Sequence, residues 1–301
     1  MDGLLVVNKP KGLSSFRIVE RIRQISGQRK IGHAGTLDPL ASGVLVLCLG
    51  EATKLSEYIM SEDKVYVVQG KLGERTSSFD AESEVTNKVE IDKKIFNKEK
   101  LELSLNKFRG WIEQIPPMYS ALKKDGAPLY MLARRGISVE REKRKVLISE
   151  LRVMDFELPF YTLYVACSKG TYIRTLIDDI GMDLGVYSYV TELQRESSGS
   201  FNLKDALAIS DKTTEKDVQD KLISMEDAAS KVFPVEVIPN ELAKKISNGY
   251  LLTDILPELA DKHERFVLFS SIEGVKKLLA LVENKKTIRV FSQEAWSKIN
   301  V

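Results

Sequence analysis

The stretch IGHAGTLDPLASGVLVLCLG, residues 31–50, places one carboxylate, that of Asp38, in a glycine-containing segment directly before an apolar run. Pro39 restricts its own backbone and favours extended geometry at Asp38, while the glycines permit angles that other residues avoid. Residues 44–49 read VLVLCL and predict a buried strand. The carboxylate is therefore expected in a well-defined loop against a core element. An Asx-type turn that merely feeds a strand is the alternative interpretation.

Composition indicates an ordinary soluble globular protein. The chain has 301 residues, 43% hydrophobic and 29% charged, enough for one large domain and a small one. Its apolar runs are too short to span a bilayer, and its start lacks a signal-peptide pattern, so we expect a cytoplasmic location and no membrane contact. Cys48 and Cys167 lie in apolar segments and predict buried thiols. The two cysteines and two histidines are far apart and give no zinc spacing.

Charge is unevenly distributed along the chain. Residues 123–145 carry eight basic and three acidic side chains, whereas residues 211–230 carry six acidic side chains and three lysines. A basic segment on a near-neutral protein suggests that one face contacts a polyanion. A solvated surface loop explains the same count, and charge alone does not distinguish the two.

The order of predicted elements favours an α+β fold, since hairpins are mixed with single helices. Besides residues 44–49, four strands are expected before the C-terminal module, in residues 3–9, 64–73, 145–158 and 160–170, the last two as an antiparallel pair. Three helices are expected, in residues 14–27, 101–110 and 171–185. In the first of these, Phe16, Val19, Ile22 and Ile25 are predicted to form the apolar face. Residues 211–230 and VFPVEVIPN (232–240) indicate a boundary, and the short strands beyond it predict a small β-rich module.

Several familiar catalytic patterns are absent from the sequence. There is no phosphate-binding G-x-x-x-x-G-K-[ST] loop and no G-x-S-x-G nucleophile elbow. Asp38 also has no second carboxylate close by in sequence, so a glycosidase-type pair is not visible.

Six motifs in order do identify a family. They are NKPKGLSS (8–15), GHAGTLDPLASGVLVLCLGEATK (32–54), KVYVVQGKLGERTSSFDAESEV (64–85), QIPPMYSALKKDGAPLYMLARRG (114–136), CSKGTYIRTLIDDIG (167–181) and ELQRESSG (192–199). Together they resemble the bacterial tRNA pseudouridine synthase B family, whose members isomerise the T-loop uridine numbered 55. The C-terminal 70 or so residues resemble a PUA domain more weakly, best in IPNELAKKISNGYLL (238–252).

This resemblance implies the architecture and the activity. The fold would be a mixed, largely antiparallel sheet flanked by helices, plus a small β-rich PUA-like domain. Residues 1–232 would form the catalytic domain, residues 116–145 a thumb-like RNA-binding insertion and residues 233–301 the PUA-like domain. The activity would be the isomerisation of a flipped-out uridine-55 in tRNA, with no cofactor and no metal.

The resemblance further implies that Asp38 is the nucleophile and that Arg174 is its partner. A carboxylate can attack the ribose or the base, or assist a glycal route, and the sequence does not decide among these. Arg174 lies near the start of a predicted helix, where the helix dipole disfavours a cation, so it needs an anionic partner. An i,i+4 pair with Asp178 on the same helix is the alternative to a pair with Asp38.

The remaining site residues also follow from the resemblance. Tyr66 would stack on the flipped uracil and help to remove its C5 proton, although a tyrosine in a strand is often only a core residue. Tyr172 and Leu193 would complete the pocket wall. His33 would contact RNA and fill the space of the displaced base. Lys9 would support the first loop, although a lysine before proline is commonly a solvated turn residue.

The thumb-like insertion would contact RNA phosphates through its basic side chains. The candidates are Lys123, Lys124, Arg134, Arg135, Arg141 and Arg144. The expected partner is the T stem-loop of tRNA, bound by a monomer without guide RNA or an obligate protein partner. The sequence departs from the family pattern at Ser77, Ser78 and Ser83, where an acidic residue or alanine, threonine and glycine are common.

Two other functional hypotheses fit parts of the sequence. A non-catalytic RNA-binding protein could use the same groove, but the presence of Asp38, Tyr66 and Arg174 together disfavours it. A synthase dependent on guide RNA and protein partners, like the archaeal and eukaryotic relatives, would keep the chemistry. The basic insertion favours a stand-alone enzyme over that form.

Overall fold

The computed structural model describes residues 1–92, 94–124, 126–291 and 296. The strands among them are β1 (Gly3–Lys9), β2 (Ile31–His33), β3 (Ser42–Leu49), β4 (Lys64–Leu72), β5 (Glu74–Thr76), β6 (Val85–Lys88), β7 (Gly110–Gln114), β8 (Lys123–Lys124), β9 (Ala127–Pro128), β10 (Arg144–Glu157), β11 (Phe160–Cys167), β12 (Ser188–Ser198), β13 (Phe201–Asn202), β14 (Leu207–Ala208), β15 (Ile223–Ser224), β16 (Val235–Val237), β17 (Arg265–Ile272), β18 (Val275–Glu283) and β19 (Lys286–Val290). The α-helices are α1 (Ser15–Ser26), α2 (Ser56–Met60), α3 (Lys98–Leu105), α4 (Leu129–Ala133), α5 (Ile173–Asp183), α6 (Glu215–Asp220), α7 (Met225–Val232), α8 (Asn240–Ser247), α9 (Leu252–Ile255) and α10 (Pro257–Ala260). Short 3-10 helices span Gly50–Leu55, Asn106–Phe108 and Leu203–Asp205.

The large sheet is mixed but mainly antiparallel. Its strand order is β14-β1-β3-β12-β4-β11-β10-β7, and β2, β13 and β15 pair at its margins with β3, β12 and β1. Among the described strands of this sheet, the parallel pairs are β1 with β14 and β3 with β12. The expected mixed, largely antiparallel sheet is therefore confirmed. The parallel pairing at the centre brings the start of β3, just after Asp38, beside β12.

Helix α1 lies against this sheet, and its ends match the expected signals. The Ser14 hydroxyl accepts a hydrogen bond from the Arg17 amide, and Gly27 ends the helix at a φ of 65°. Ile18 and Ile22 are fully buried in the core. The prediction that Phe16 faces inward is wrong, because its side chain is 56% exposed. It lies at the mouth of a cavity described below.

The central part of the chain follows the sequence prediction closely, with one difference. Strands β10 and β11 form the expected antiparallel pair, and helix α5 buries the apolar side chains of Ile173, Leu176, Ile177 and Ile180. The helix predicted over residues 101–110 instead ends at Leu105 and continues as a 3-10 turn to Phe108. Gly110 then adopts a φ of 83° and begins edge strand β7, because that strand pairs with β10.

The C-terminal residues form a second sheet, ordered β16-β17-β18-β19, that packs on the first unit. Val267, Phe269 and Leu281 of this sheet share an apolar cluster with Val44 and Val46 of β3. The two units are therefore joined by a common core. Within the ranges given above, no helix is long and apolar enough to cross a membrane.

Candidate active site

Asp38 lies in the irregular segment 34–41, which several buried contacts hold in place. The Ser15 hydroxyl donates to the Leu37 carbonyl at 3.0 Å and accepts from the Leu37 amide at 2.8 Å. The Gly12 amide donates to the Pro39 carbonyl at 2.7 Å. These bonds and the burial of the Leu37 side chain fix both sides of Asp38. The loop is well defined, as the sequence predicted.

Arg174 binds the Asp38 carboxylate in a bidentate pair. Its Nε lies 2.8 Å from Oδ2 and its Nη2 lies 3.1 Å from Oδ1. The remaining donors are directed at backbone, with Nη1 2.9 Å from the Ser78 carbonyl and Nη2 2.8 Å from the Tyr119 carbonyl. The guanidinium is only 4% exposed, whereas the Asp38 side chain is 35% exposed. A buried cation therefore orients a carboxylate that remains open to a ligand.

The alternative pair of Arg174 with Asp178 is not formed. Asp178 instead accepts two hydrogen bonds from Arg75, at 2.6 and 2.7 Å. Arg75 lies on β5, far from helix α5 in sequence. This long-range pair leaves Arg174 available to Asp38.

A second carboxylate, which the sequence analysis did not assign to the site, lies beside this pair. Asp80 Oδ2 is 3.5 Å from Arg174 Nε, and its side chain is almost fully buried. Burial raises the pKa of Asp80, against the lowering effects of the Ser78 hydroxyl and Arg174. The motif RTSSFDAESE contains Asp80, but only the fold reveals its neighbour.

A cavity of about 320 Å³ opens next to Asp38 and Arg174. Tyr66, Tyr172 and Leu193 line it, so the structure brings these predicted pocket residues together. Burial raises the pKa values of the hydroxyls of Tyr66 and Tyr172. Both side chains therefore face the cavity as neutral phenols at neutral pH. The lining thus combines aromatic and apolar side chains with charged groups, which suits a flat ring with polar edges.

A second cavity of about 720 Å³ is also lined by Asp38 and Arg174. His33, Phe16 and Arg134 are among its lining residues. Burial, and secondarily the charge of Arg195, lowers the pKa of His33. A neutral imidazole at this position agrees with a role in contact rather than in proton transfer.

Lys9 lies outside the residues that line either cavity. Its ammonium is fully buried and donates to the carbonyls of Pro10, Leu13 and Pro39 at 3.0, 2.6 and 3.3 Å. Burial lowers the pKa of Lys9 to about 8. Lys9 thus joins the first loop to the Asp38 loop from inside the protein. It is not placed to touch a substrate, and it is not a solvated turn residue.

The basic segment forms a short hairpin and helix beside the cavities. Lys123 and Lys124 lie on β8, and their side chains are exposed, as are those of Arg134, Arg135 and Arg144, while Arg141 is half-buried. Ser120 and Ala121, at the base of this segment, line both cavities. The segment therefore contributes both a wall of the site and an exposed row of cations.

The unusual serines of this chain are linked to each other and to the site. The Ser78 hydroxyl lies 2.6 Å from that of Ser83 and 2.5 Å from Asp80 Oδ1. The Ser83 hydroxyl also accepts from the Ser78 amide at 3.0 Å. Since the Ser78 carbonyl accepts from Arg174, this pair of serines supports the loop that holds the arginine. The exposed Ser77 has no explanation in the structure.

Comparison with known proteins agrees with this geometry. Residues 23–173 match the family model described as TruB family pseudouridylate synthase (N terminal domain). A Clostridium kluyveri protein named tRNA pseudouridine synthase B is 43% identical over 256 residues, which cover 84% of this chain and 86% of that protein. A protein of the same name from Clostridium acetobutylicum is 35% identical over 98% of this chain and 93% of its own length.

Solved structures confirm the fold. A chain in a crystal structure of a Cbf5-Nop10-Gar1 complex superposes with a TM-score of 0.67 at 23% identity, covering 99% of this chain and 81% of that one. The family match, the relatives and the fold agree with one another. The chain belongs to the TruB family of pseudouridylate synthases and is a pseudouridine synthase, an isomerase.

Proposed function

We propose that this enzyme converts uridine 55 in the T loop of tRNA to pseudouridine, with Asp38 as its nucleophile and without a guide RNA. The observation that carries the proposal is the bidentate Asp38–Arg174 pair, which lines both cavities. The names of the relatives support tRNA as the substrate class.

The reaction moves uracil from one glycosidic bond to another. The bond between N1 and C1′ breaks, the base rotates, a bond between C5 and C1′ forms, C5 loses a proton and N1 gains one. A carboxylate can assist by attack on the ribose, by attack on the base or along a glycal route. Each route needs an oriented carboxylate beside the uridine, and Arg174 supplies that orientation.

The smaller cavity suits the flipped base. In our proposal the Tyr66 ring stacks on uracil, while Tyr172 and Leu193 close the pocket around it. Because burial raises the pKa of Tyr66, its hydroxyl stays protonated at neutral pH in the free enzyme, and little phenolate is present to accept the C5 proton. The platform role is therefore the better supported of its two proposed roles. His33 in the larger cavity would occupy the space that the base leaves.

RNA outside the pocket would meet the exposed cations of the thumb-like segment. Residues 116–145 carry the six predicted phosphate contacts, and Arg134 also borders the larger cavity. We further propose that residues 1–232 form the catalytic domain and residues 233–301 a PUA-like RNA-binding domain. The second sheet, which begins with β16 at Val235, supports that boundary. We expect the enzyme to act as a cytoplasmic monomer.

Two transcripts and two proteins test this proposal. Purified wild-type protein alone should release tritium from an unmodified tRNA transcript labelled at uracil C5. A transcript with cytidine at position 55 should release none. Asp38→Asn should abolish release while it leaves tRNA affinity within about threefold, because the amide is nearly isosteric but poorly nucleophilic.

The outcomes separate the competing hypotheses. A wild-type protein that binds tRNA but never releases tritium would be an RNA-binding protein or a partner-dependent synthase. Turnover by Asp38→Asn within tenfold of the wild-type rate would remove Asp38 from the nucleophile role.

A further inference from the structure

Arg195 is a buried arginine on β12 whose donors bind backbone near the active site. Its side chain is 1% exposed and lines the smaller cavity. Its Nε donates to the Val44 carbonyl at 2.7 Å, and Nη2 donates to the Gly35 carbonyl at 3.2 Å. Nη1 makes a longer bond of 3.5 Å to the Thr36 carbonyl. Gly35 and Thr36 belong to the loop that carries Asp38.

The sheet register places Arg195 between the two halves of the site. On one side it is directly opposite Tyr66 of β4, and on the other it is the parallel partner of Gly43 of β3. Arg195 and Tyr66 also line the same cavity. A Cβ at Gly43 would lie 2.2 Å from the Arg195 carbonyl, so the two backbones are in close approach. A single guanidinium therefore contacts the Asp38 loop and the start of β3, and it belongs to a residue that lies directly opposite Tyr66.

The charge of Arg195 has no acidic partner in the described part of the chain. The hydrogen bonds of its side chain there go to three backbone carbonyls. A buried cation is costly unless its donors are satisfied, and a planar fork satisfies several carbonyls in fixed directions. Lysine would keep the charge but reach fewer of these acceptors. These contacts therefore depend on the planar shape of the guanidinium and not only on its charge.

We propose that Arg195 is a positioning residue for the isomerase reaction, one that sets the Asp38 loop and the Tyr66 ring relative to each other. This inference rests on the proposed function, since it assumes that these two side chains act on the same base. Arg174 orients the Asp38 carboxylate itself, whereas Arg195 holds the backbone that leads to it. The two arginines act on different parts of the same loop.

The test compares Arg195→Lys with wild type and with Arg75→Lys. Arg75 is a suitable control because its guanidinium also makes several hydrogen bonds, here to Asp178, but it lines neither cavity. Three quantities are measured on the full chain, namely the single-turnover rate with unmodified tRNA, the tRNA dissociation constant and amide hydrogen exchange by peptide. We expect Arg195→Lys to slow conversion by about 30-fold or more, as a small misplacement of reacting groups does. Its affinity should stay within about threefold, since the phosphate contacts are untouched.

Hydrogen exchange distinguishes positioning from general stability. For Arg195→Lys, exchange should accelerate in peptides that cover residues 34–41 and remain unchanged in those from β17 and β18. A conversion rate equal to that of Arg75→Lys would overturn the proposal. So would faster exchange throughout the chain, or unfolding of the variant, because Arg195 would then be a general core residue. A wild-type enzyme without activity would refute the proposed function instead, and that result is seen before any variant is compared.

Discussion

Replacement of Arg174 by lysine tests whether the geometry of the guanidinium or only its charge sustains catalysis. In the wild type this side chain makes two hydrogen bonds to Asp38 and one each to the carbonyls of Ser78 and Tyr119. A lysine ammonium at the same place can keep one bond to the carboxylate. It cannot also satisfy both carbonyls and the second carboxylate oxygen in the same plane.

The expected loss follows from these bonds. A hydrogen bond that involves a charged group contributes about 1.5–3 kcal/mol. Loss of one orienting bond to Asp38 in the transition state would slow single-turnover conversion by about 10- to 150-fold, at about 1.4 kcal/mol per factor of ten. Arg174→Ala removes the cation and leaves Asp38 and the buried Asp80 without it. Since breaking a buried ion pair costs about 3–5 kcal/mol, we expect Arg174→Ala to slow single-turnover conversion by about 100- to 5,000-fold or more.

The assay is single-turnover tritium release, with tRNA binding measured in parallel. Arg75→Lys is again the matched control, because Arg75 makes the same bidentate contact with Asp178 away from the cavities. We expect this control to keep its rate within about threefold, as its carboxylate does not face the proposed substrate. Full activity of Arg174→Lys would show that a bidentate contact is not needed and would refute the reasoning.

Three further predictions concern Tyr66, RNA binding and pH. Tyr66→Phe keeps the aromatic ring and should retain most activity, whereas Tyr66→Leu should lose most activity. A phenylalanine variant that binds tRNA normally but turns over very slowly would assign the hydroxyl a chemical role. In filter binding across a salt series, alanine substitution of four exposed thumb cations should weaken tRNA binding. It should also flatten the slope of log affinity against log salt by about 0.7–0.9 for each phosphate that is no longer neutralised. Both effects should exceed those of a matched set from the second sheet, and the opposite order would refute the thumb assignment. The two sets are Lys123, Lys124, Arg134 and Arg135, and Lys276, Lys277, Lys286 and Arg289. Finally, burial and the neighbouring Asp178 raise the pKa of Asp179 to about 6. Between about pH 4 and pH 6 the folded state then binds more protons than the unfolded state, so the wild type loses stability as pH rises. The free energy of unfolding of Asp179→Asn, measured with urea, should therefore exceed that of the wild type by about 1–3 kcal/mol above this range. Asp183→Asn should instead be less stable than the wild type at neutral pH, because the hydrogen bonds from Lys107 and Ser104 lower the pKa of Asp183 in the folded state. Equal profiles of stability against pH for the two variants would contradict this account.

Patterns among residues close in sequence were sufficient to predict many helices and strands of the fold. The apolar run after Asp38, the capped helix α1 and the β10–β11 hairpin depend on interactions between residues close in sequence, and all three are found as expected. The order and content of the six motifs were sufficient to predict the family. The predicted pocket residues Tyr66, Tyr172 and Leu193 do meet around one cavity, although their roles there remain predictions.

Tertiary structure decided which charged groups are partners. From sequence, Asp178 was the nearer partner for Arg174, and only the long-range contact from Arg75 shows why that pair does not form. The burial of Lys9 and Arg195 was equally invisible, because their carbonyl partners carry no sequence signal and are assembled by strand pairing. Phe16 matched an apolar helical face yet lies exposed beside the larger cavity, since the sheet covers only part of that face. Periodicity reports which residues can be buried, whereas the partners of a buried charge depend on distances that the folded chain alone sets.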